Sequence, residues 1–244
     1  MSDYSSTSTI LKDQWQKMDT INMNTSSIIA VPISLSNSNK KTKRYYFMVK
    51  RSFDIFITTI ALILLSPLLL TVALLIRLDS KGPIFFSQLR VGKGGKEFKM
   101  WKFRSMYVDA EKRKKELMKK NEMQGGVLFK MKQDPRVTRV GRILRKFSID
   151  ELPQLWNVWR GDMSLVGPRP PLPYEVQEYT CHQRKRLEVT PGITCIWQVS
   201  GRSDIPFHQQ VEMDLEYIRN QSLIYDLIIL LKTVPAVLKA RGAY

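Results

Sequence analysis

IFITTIALILLSPLLLTVALLI, residues 55–76, decides how the rest of the chain is read. It runs for 22 residues without a charge, and a helix needs about 20 apolar residues to cross the hydrocarbon of a bilayer. Two features argue against a simple crossing. Ser66-Pro67 lies at its middle, where proline removes a helical hydrogen bond and clashes with the preceding turn. Basic residues flank both ends, with Lys40, Lys41, Lys43, Arg44, Lys50 and Arg51 before the run and Arg77, Lys81, Arg90, Lys93 and Lys96 after it. Lysine and arginine mark the cytoplasmic side of a membrane segment, so both flanks are assigned to that side. The expectation is a re-entrant hairpin bent at Ser66 and Pro67, the serine hydroxyl satisfying backbone groups that the bend frees. A proline-kinked transmembrane helix and a buried core helix are the competing readings.

Upstream, residues 1–43 are rich in Ser, Thr and Asn without periodicity and read as a flexible polar tail. Downstream, GPIFFSQ and residues 97–104 read as short strands around the turn Gly92-Lys93-Gly94-Gly95. Residues 108–124 carry a charged helical pattern with Glu111/Lys115 and Glu116/Lys120 at i,i+4 spacing. Arginines then recur every third residue at Arg136, Arg139, Arg142 and Arg145, a stripe fit to meet a diphosphate or lipid head groups, or to face solvent. GDMSLVGPRPPLP, residues 161–173, has too many prolines and glycines for a regular element and reads as a rigid loop. The apolar stretch from Leu223 to Leu238 is interrupted by Asp226, Lys232 and Pro235. It fits an amphipathic segment in a membrane interface, or packing against a soluble core.

The chain of 244 residues carries 39 basic and 22 acidic side chains, a net charge of +17 that attracts nucleic acid, an anionic bilayer or phosphorylated substrates. A nucleic-acid partner would use this charge with Trp101, Trp156, Trp159 and Trp197, but it leaves the apolar run unexplained. Two cysteines without CxxC spacing and two histidines cannot complete a zinc tetrad, and the low cysteine count fits a reducing compartment.

The sharpest local feature is FSIDELPQLWNVWRGDM, in which Asp150 and Glu151 follow the arginine stripe and precede Pro153. With Asp150 as N-cap, the pair would sit at a helix N-terminus, a place that offers free amides to a phosphate. One carboxylate could then attack phosphorus while the other holds a metal or handles a proton. Ser148-Ile149-Asp150-Glu151 is also an S-x-x-E capping box, which would account for the acids without chemistry.

From Lys50 to Tyr244 the chain resembles the bacterial sugar transferases known as monotopic phosphoglycosyl transferases. The likeness runs through KRSFDI, Ser66-Pro67, GPIFFSQLRVGKGGKEFKMWKFRSM, DPRVTRVGRILRKFSIDELPQLWNV, GDMSLVGPRP, PGIT, WQVSGRSD, VEMDLEYI and LLKTVPAVLKARGAY. The resemblance implies an α/β fold, α-rich with a small sheet: a compact cytosolic catalytic domain over 81–244, a basic segment and re-entrant membrane helix hairpin over 44–80, and interfacial amphipathic helices. It implies an aspartate nucleophile at Asp150, with Glu151 beside it as proton acceptor or metal partner. The implied reaction moves hexose 1-phosphate from a UDP-sugar to undecaprenyl phosphate, releases UMP, and passes through an aspartyl phosphosugar. The ending ARGAY resembles members that transfer galactose or glucose in exopolysaccharide or capsule synthesis, an N-acetylated sugar being the alternative. Implied phosphate-binding residues are Lys102, Arg104, Arg145, Arg169 and Arg202, and Mg²⁺ is the implied ion, held by Asp150, Glu151 and Asp214. Partners implied are the UDP-sugar, undecaprenyl phosphate and anionic lipids, with no nucleic acid and room for a homodimer, at the cytoplasmic face of the bacterial inner membrane. The chain departs from the family pattern RPGITG at Thr190 and Cys195, where a cation and a glycine are replaced.

Overall fold

The apolar run is the outer face of a very long helix, α1 (Asn37–Asp79). The computed structural model describes residues 37–110, 112–113 and 134–239, and in α1 the side chains from Arg44 on. Apart from the first turns of α1, the polar tail lies outside these residues, as does most of the charged helix expected over 108–124. Arg44–Tyr244 forms one compact unit.

Along α1 the buried positions Lys50, Asp54, Thr58, Val72 and Ile76 recur on one stripe, with Leu65 and Leu69 partly buried between them, as the 3.6-residue period dictates for a helix lying on a core. The face turned away from that stripe, with Ile63, Leu64, Leu70 and Leu74, is exposed. Of its most apolar 18-residue window only 11% is buried, which excludes the buried core helix. By length and composition the helix fits a membrane anchor. Pro67 lies inside it, and the helix continues on both sides. Ser66 donates its hydroxyl to Ile63 O at 2.7 Å and Thr71 to Pro67 O at 2.9 Å, the side-chain bonding that accompanies proline in apolar helices.

Both ends of α1 are bolted to the same body. Near its start, Asp54 accepts from Leu165 N at 3.2 Å, and Lys50 donates to Asp226 at 2.7 Å. At its end, Asp79 accepts from Val140 N at 3.1 Å. Arg104 donates to the carbonyls of Ile76, Ser80 and Lys81 there, a cation on the negative end of the helix dipole.

Strands β1 (Phe85–Val91) and β2 (Glu97–Phe103) form the expected antiparallel hairpin, Phe85 opposite Phe103 and Val91 opposite Glu97. Its connection carries Gly94 and Gly95 at φ 67° and 82°, the positive values that make glycine useful there. Helix α2 (Arg139–Lys146) is capped by Thr138, whose hydroxyl accepts from Gly141 N. A 3₁₀ turn, Ile149–Glu151, leads to α3 (Gln154–Arg160), which Gly161 ends at φ 92°. β3 (Ser164–Val166) pairs in parallel with β4 (Gly192–Thr194), so the small sheet expected is in fact two separate strand pairs.

After α4 (Ile196–Ser200) come α5 (Phe207–Arg219) and α6 (Leu223–Lys239). Helix α6 buries Asp226 and Ile229 and leaves Ile224, Leu227, Ile228, Leu231, Val234 and Leu238 exposed, the amphipathic pattern expected of it. The core gathers Met100, Leu155, Val158, Met163, Val166, Tyr217 and Ile229, with Phe53, Ile57 and Leu62 of α1 packed on it. A second cluster joins Val72 and Ile76 of α1 to Phe103 and Leu144. The 3₁₀ turn, which adjoins α2 and β2, therefore lies where the two clusters meet the body.

Candidate active site

Asp150 and Glu151 occupy the 3₁₀ turn between α2 and α3. This differs from the helix-cap geometry expected: Pro153, not Asp150, is the residue flanking α3. The capping-box reading fails as well. Ser148 sits in the left-handed region at φ 55° and its side chain makes no cap bond, because a residue bent that way directs its hydroxyl away from the amides that follow. A non-glycine residue there is uncommon and marks local strain beside a functional group.

Asp150 is 8% exposed. Burial raises its carboxyl above the usual range, with the charge of Lys102 opposing and Glu151 adding to the rise. Glu151 goes the other way. Burial alone would raise it too, but Lys102 and then Arg169 outweigh that and hold it at about 2. Lys102 Nζ stands 2.6 Å from Glu151 Oε1 and Arg169 Nη1 at 3.7 Å. Two neighbouring carboxylates thus have pKa values driven apart, as in sites that assign them different tasks.

Each cation reaches the pair from a different element. Lys102 comes from the end of β2. Arg145, from the last turn of α2, acts on Asp150 by its charge. Arg169 stands in the proline loop, which is pinned on both sides. Gly167 N donates to Thr194 O at 3.0 Å and Gly192 N to Pro168 O at 2.9 Å, while Val91 N donates to Pro171 O at 2.9 Å. A Cβ on Gly192 would fall 2.0 Å from Gly167 N, so glycine is required for the loop to close on β4. Arg202, at φ 53°, also lies within the field of Glu151.

Arg90 is a member that sequence reasoning did not single out. Buried in β1, it donates from Nη1 to Pro170 O at 2.9 Å and from Nη2 to Gln88 at 2.8 Å. Burial and then the charge of Arg169 lower it to about 10. Its position was marked only by a charge at the buried end of a strand pattern.

Two expected members are placed elsewhere. Arg104 is taken up by the end of α1, as above, because β2 stops at Phe103 and the alternation that would have put it beside Lys102 stops there too. Asp214 is buried in α5 against Arg186, with Nη2 and Nε at 2.6 and 2.8 Å. Burial, opposed by Arg186, raises it to about 6. Its carboxylate is taken up by Arg186 rather than by the dyad, and among the described residues no group of three or more His, Cys, Asp or Glu could hold a metal. Of the arginine stripe, Arg136 is buried on Asp134 at 2.7 Å and Arg139 and Arg142 are exposed, so Arg145 alone faces the dyad. At the departures from the family pattern, Cys195 is buried and donates to Gln198 at 3.1 Å.

Lys102 and Arg169 stand against Glu151, and Arg90, Arg145 and Arg202 reach the pair by their charge, so five cations act on the two carboxylates. Cations set around an acid pair are chemistry that suits phosphate groups. A family model for bacterial sugar transferases matches residues 45–240, and the chain belongs to that family. It is 44% identical over 198 residues to "Exopolysaccharide production protein ExoY" of Sinorhizobium fredii, covering 80% of this chain and 88% of that one. It is 45% identical over 210 residues to "Galactosyl transferase CpsE" of Streptococcus agalactiae, 86% of this chain and 46% of that one. With "Undecaprenyl-phosphate galactose phosphotransferase" of Salmonella typhimurium it shares 43% over 209 residues, 84% of this chain and 44% of that one. The chain thus spans less than half of the two longer relatives.

Proposed function

We propose that the protein transfers hexose 1-phosphate, galactose or glucose, from a UDP-sugar to undecaprenyl phosphate, the first membrane step of an exopolysaccharide or capsule. The observation that carries this is buried Asp150 beside Glu151 with five cations acting on the two, next to the left-handed Ser148: a diphosphate and an incoming lipid phosphate would add negative charge there. The names of the relatives support the sugar and the lipid. An N-acetylated sugar is the alternative substrate, and no nucleic acid is called for.

In this reading an Asp150 oxygen attacks the phosphorus that bears the sugar. The bond from that phosphorus to the oxygen shared with UMP breaks, and UMP leaves with the electron pair. A phosphate oxygen of the lipid then attacks the same phosphorus, the bond to Asp150 breaks, and the carboxylate is restored. Such transfers need positioning and charge neutralisation more than acid–base power. Glu151, held at about 2, is a weak base, so it serves to anchor cations rather than to take a proton. The adjacent carboxylates of Asp150 and Glu151 suit Mg²⁺, which takes one or two carboxylates together with substrate phosphates. When bound, the ion would neutralise charge on the phosphoryl oxygens. Arg169, beside Glu151, and Arg145, acting on Asp150, would hold the diphosphate.

The apolar run of α1 is held on one folded body at both of its ends, through Asp54 and Asp79, and that body cannot lie on two sides of a bilayer. This supports a re-entrant segment entering and leaving one leaflet, with the basic flanks and the catalytic part at the cytoplasmic face and anionic lipids around them. The deciding test is UMP release from a panel of UDP-sugars with Mg²⁺ and undecaprenyl phosphate. Release that requires both the lipid and Asp150 is expected; no release with any UDP-sugar from folded, membrane-bound protein would overturn the reading.

A further inference from the structure

Asn157 stands in the middle of α3 and is fully buried. Asparagine is a poor helix former and is seldom buried, so its place there calls for a reason. The reaction proposed above gives it no task. Its amide is satisfied at both ends: Oδ1 accepts from Trp101 N at 3.0 Å, and Nδ2 donates to Lys99 O at 2.8 Å and to Asp162 Oδ2 at 3.2 Å. These partners fix its orientation, because a flipped amide would turn its NH2 on the Trp101 N–H and its oxygen on the Lys99 carbonyl. Lys99 and Trp101 are alternate residues of β2, whose other side pairs with β1. One side chain thus takes the place that a third strand would have along this stretch.

The residue after Trp101 is Lys102, whose Nζ stands 2.6 Å from Glu151 Oε1. Glu151 in turn belongs to the 3₁₀ turn that leads into α3, the helix of Asn157. Asn157, Trp101, Lys102 and Glu151 therefore close a ring, in which a hydrogen-bonded clasp and an ion pair are joined by two short pieces of chain. An ammonium on a four-carbon stem at the end of a strand has many rotamers open to it. The clasp narrows them by fixing the strand from which the stem starts. The Asn157 carbonyl adds to the hold, accepting from Gly161, Asp162 and Met163 N, so the turn that carries Asp162 is built on the same residue. A buried polar group satisfied in this way stiffens what it joins.

We infer that Asn157 is a positioning residue for the transfer: through the main chain of Lys99 and Trp101 it holds the end of β2 where Lys102 meets Glu151, without itself touching substrate. The inference rests on the proposed reaction for what Lys102 does there, whereas the place of Lys102 is measured apart from that reaction.

The test compares the full chain in detergent micelles as wild type, Asn157→Ser and Asp162→Ala. Lysines are acetylated with a water-soluble reagent and labelling is read residue by residue by mass spectrometry. Lys50, buried in an ion pair with Asp226, is the internal reference. Asn157→Ser is expected to raise labelling at Lys102 about threefold or more while Lys50 stays at the wild-type level; general loosening of the fold would raise both. Asp162→Ala, which removes one acceptor of the clasp at a partly exposed carboxylate, should give a smaller rise in the same direction, and it keeps the test readable if Asn157→Ser folds poorly. In UMP release, Asn157→Ser is expected to lower kcat/KM about tenfold and to add little to the loss caused by Lys102→Met, because both changes act on one ring. Labelling of Lys102 that stays unchanged in both variants, or rises together with that of Lys50, overturns the inference, as do losses in kcat/KM that simply multiply. Wild type that releases no UMP overturns the proposed reaction, and with it the role given to Asn157, whatever the labelling shows of the clasp.

Discussion

Among the described residues, the buried acids Asp226 and Asp150 sit in centres finished to different degrees. At Asp226 every bond is closed: Tyr217 donates to Oδ1 at 2.7 Å, and Tyr46 and Lys50 donate to Oδ2 at 3.0 and 2.7 Å. Asp226 meets one cation and two hydroxyls, with buried Asp54 sharing the charge of Lys50, and the same Tyr217 hydroxyl is 3.1 Å from Val166 O. At Asp150 and Glu151 the cations outnumber the acids. A closed centre holds helices together. An open one, which folding alone would not favour, is kept for something that arrives from outside.

The widest separation of the two should come from paired neutral substitutions. Asp150→Asn is expected to lower UMP release by about 10³-fold or more, with no loss in melting temperature, because burial already disfavours its charge. Asp226→Asn should do the reverse in kind, destabilising the fold by about 3 kcal/mol in denaturant titrations, since it strands the buried ammonium of Lys50. If Asp226→Asn leaves stability intact, the closed centre is not what joins α1 to α6.

A smaller effect sharpens the open side. Arg169→Lys keeps the charge but loses the planar fork, and kcat/KM is expected to fall about tenfold with the melting temperature unchanged. An unaltered kcat/KM would remove Arg169 from diphosphate recognition.

The acid range gives the finest comparison. Glu151 is depressed from its ordinary 4.5 to about 2, so the stability it contributes is present above 4.5 and is lost as pH falls toward 2. Lys102→Met should move that loss upward, toward ordinary glutamate titration, in melting curves taken between those limits. Asp150 is raised, so in the folded state it holds its proton to higher pH than when unfolded. Its ionisation costs stability as pH climbs, and the rate of any step needing its anion grows over that same interval.

The hairpin of β1 and β2 and the amphipathic α6 were legible because each follows from a local period, and the apolar run was legible as helix though expected as a hairpin bent at Ser66 and Pro67. The dyad and Arg145, Arg169 and Arg202 were legible as residues, through resemblance, and the structure brings them together. What failed depended on where an element stops or on a distant partner. Arg104 was misplaced by one residue of strand, Asp214 by an arginine 28 positions away, and the Ser148 cap by a single left-handed backbone angle. Arg90 was missed because nothing local says that a proline loop 80 residues on will rest on it.

Strand β2 carries Lys102 on the dyad and, just past its end, Arg104 on the last carbonyls of α1. Two residues of extended chain measure about 7 Å, so a single strand end joins the end of the apolar helix to the acids through one ion pair and one set of hydrogen bonds. The strand acts as a ruler. Thinning or thickening the lipid film would carry helix end and acids together as one rigid piece, and the height at which chemistry happens would follow the film instead of drifting against it.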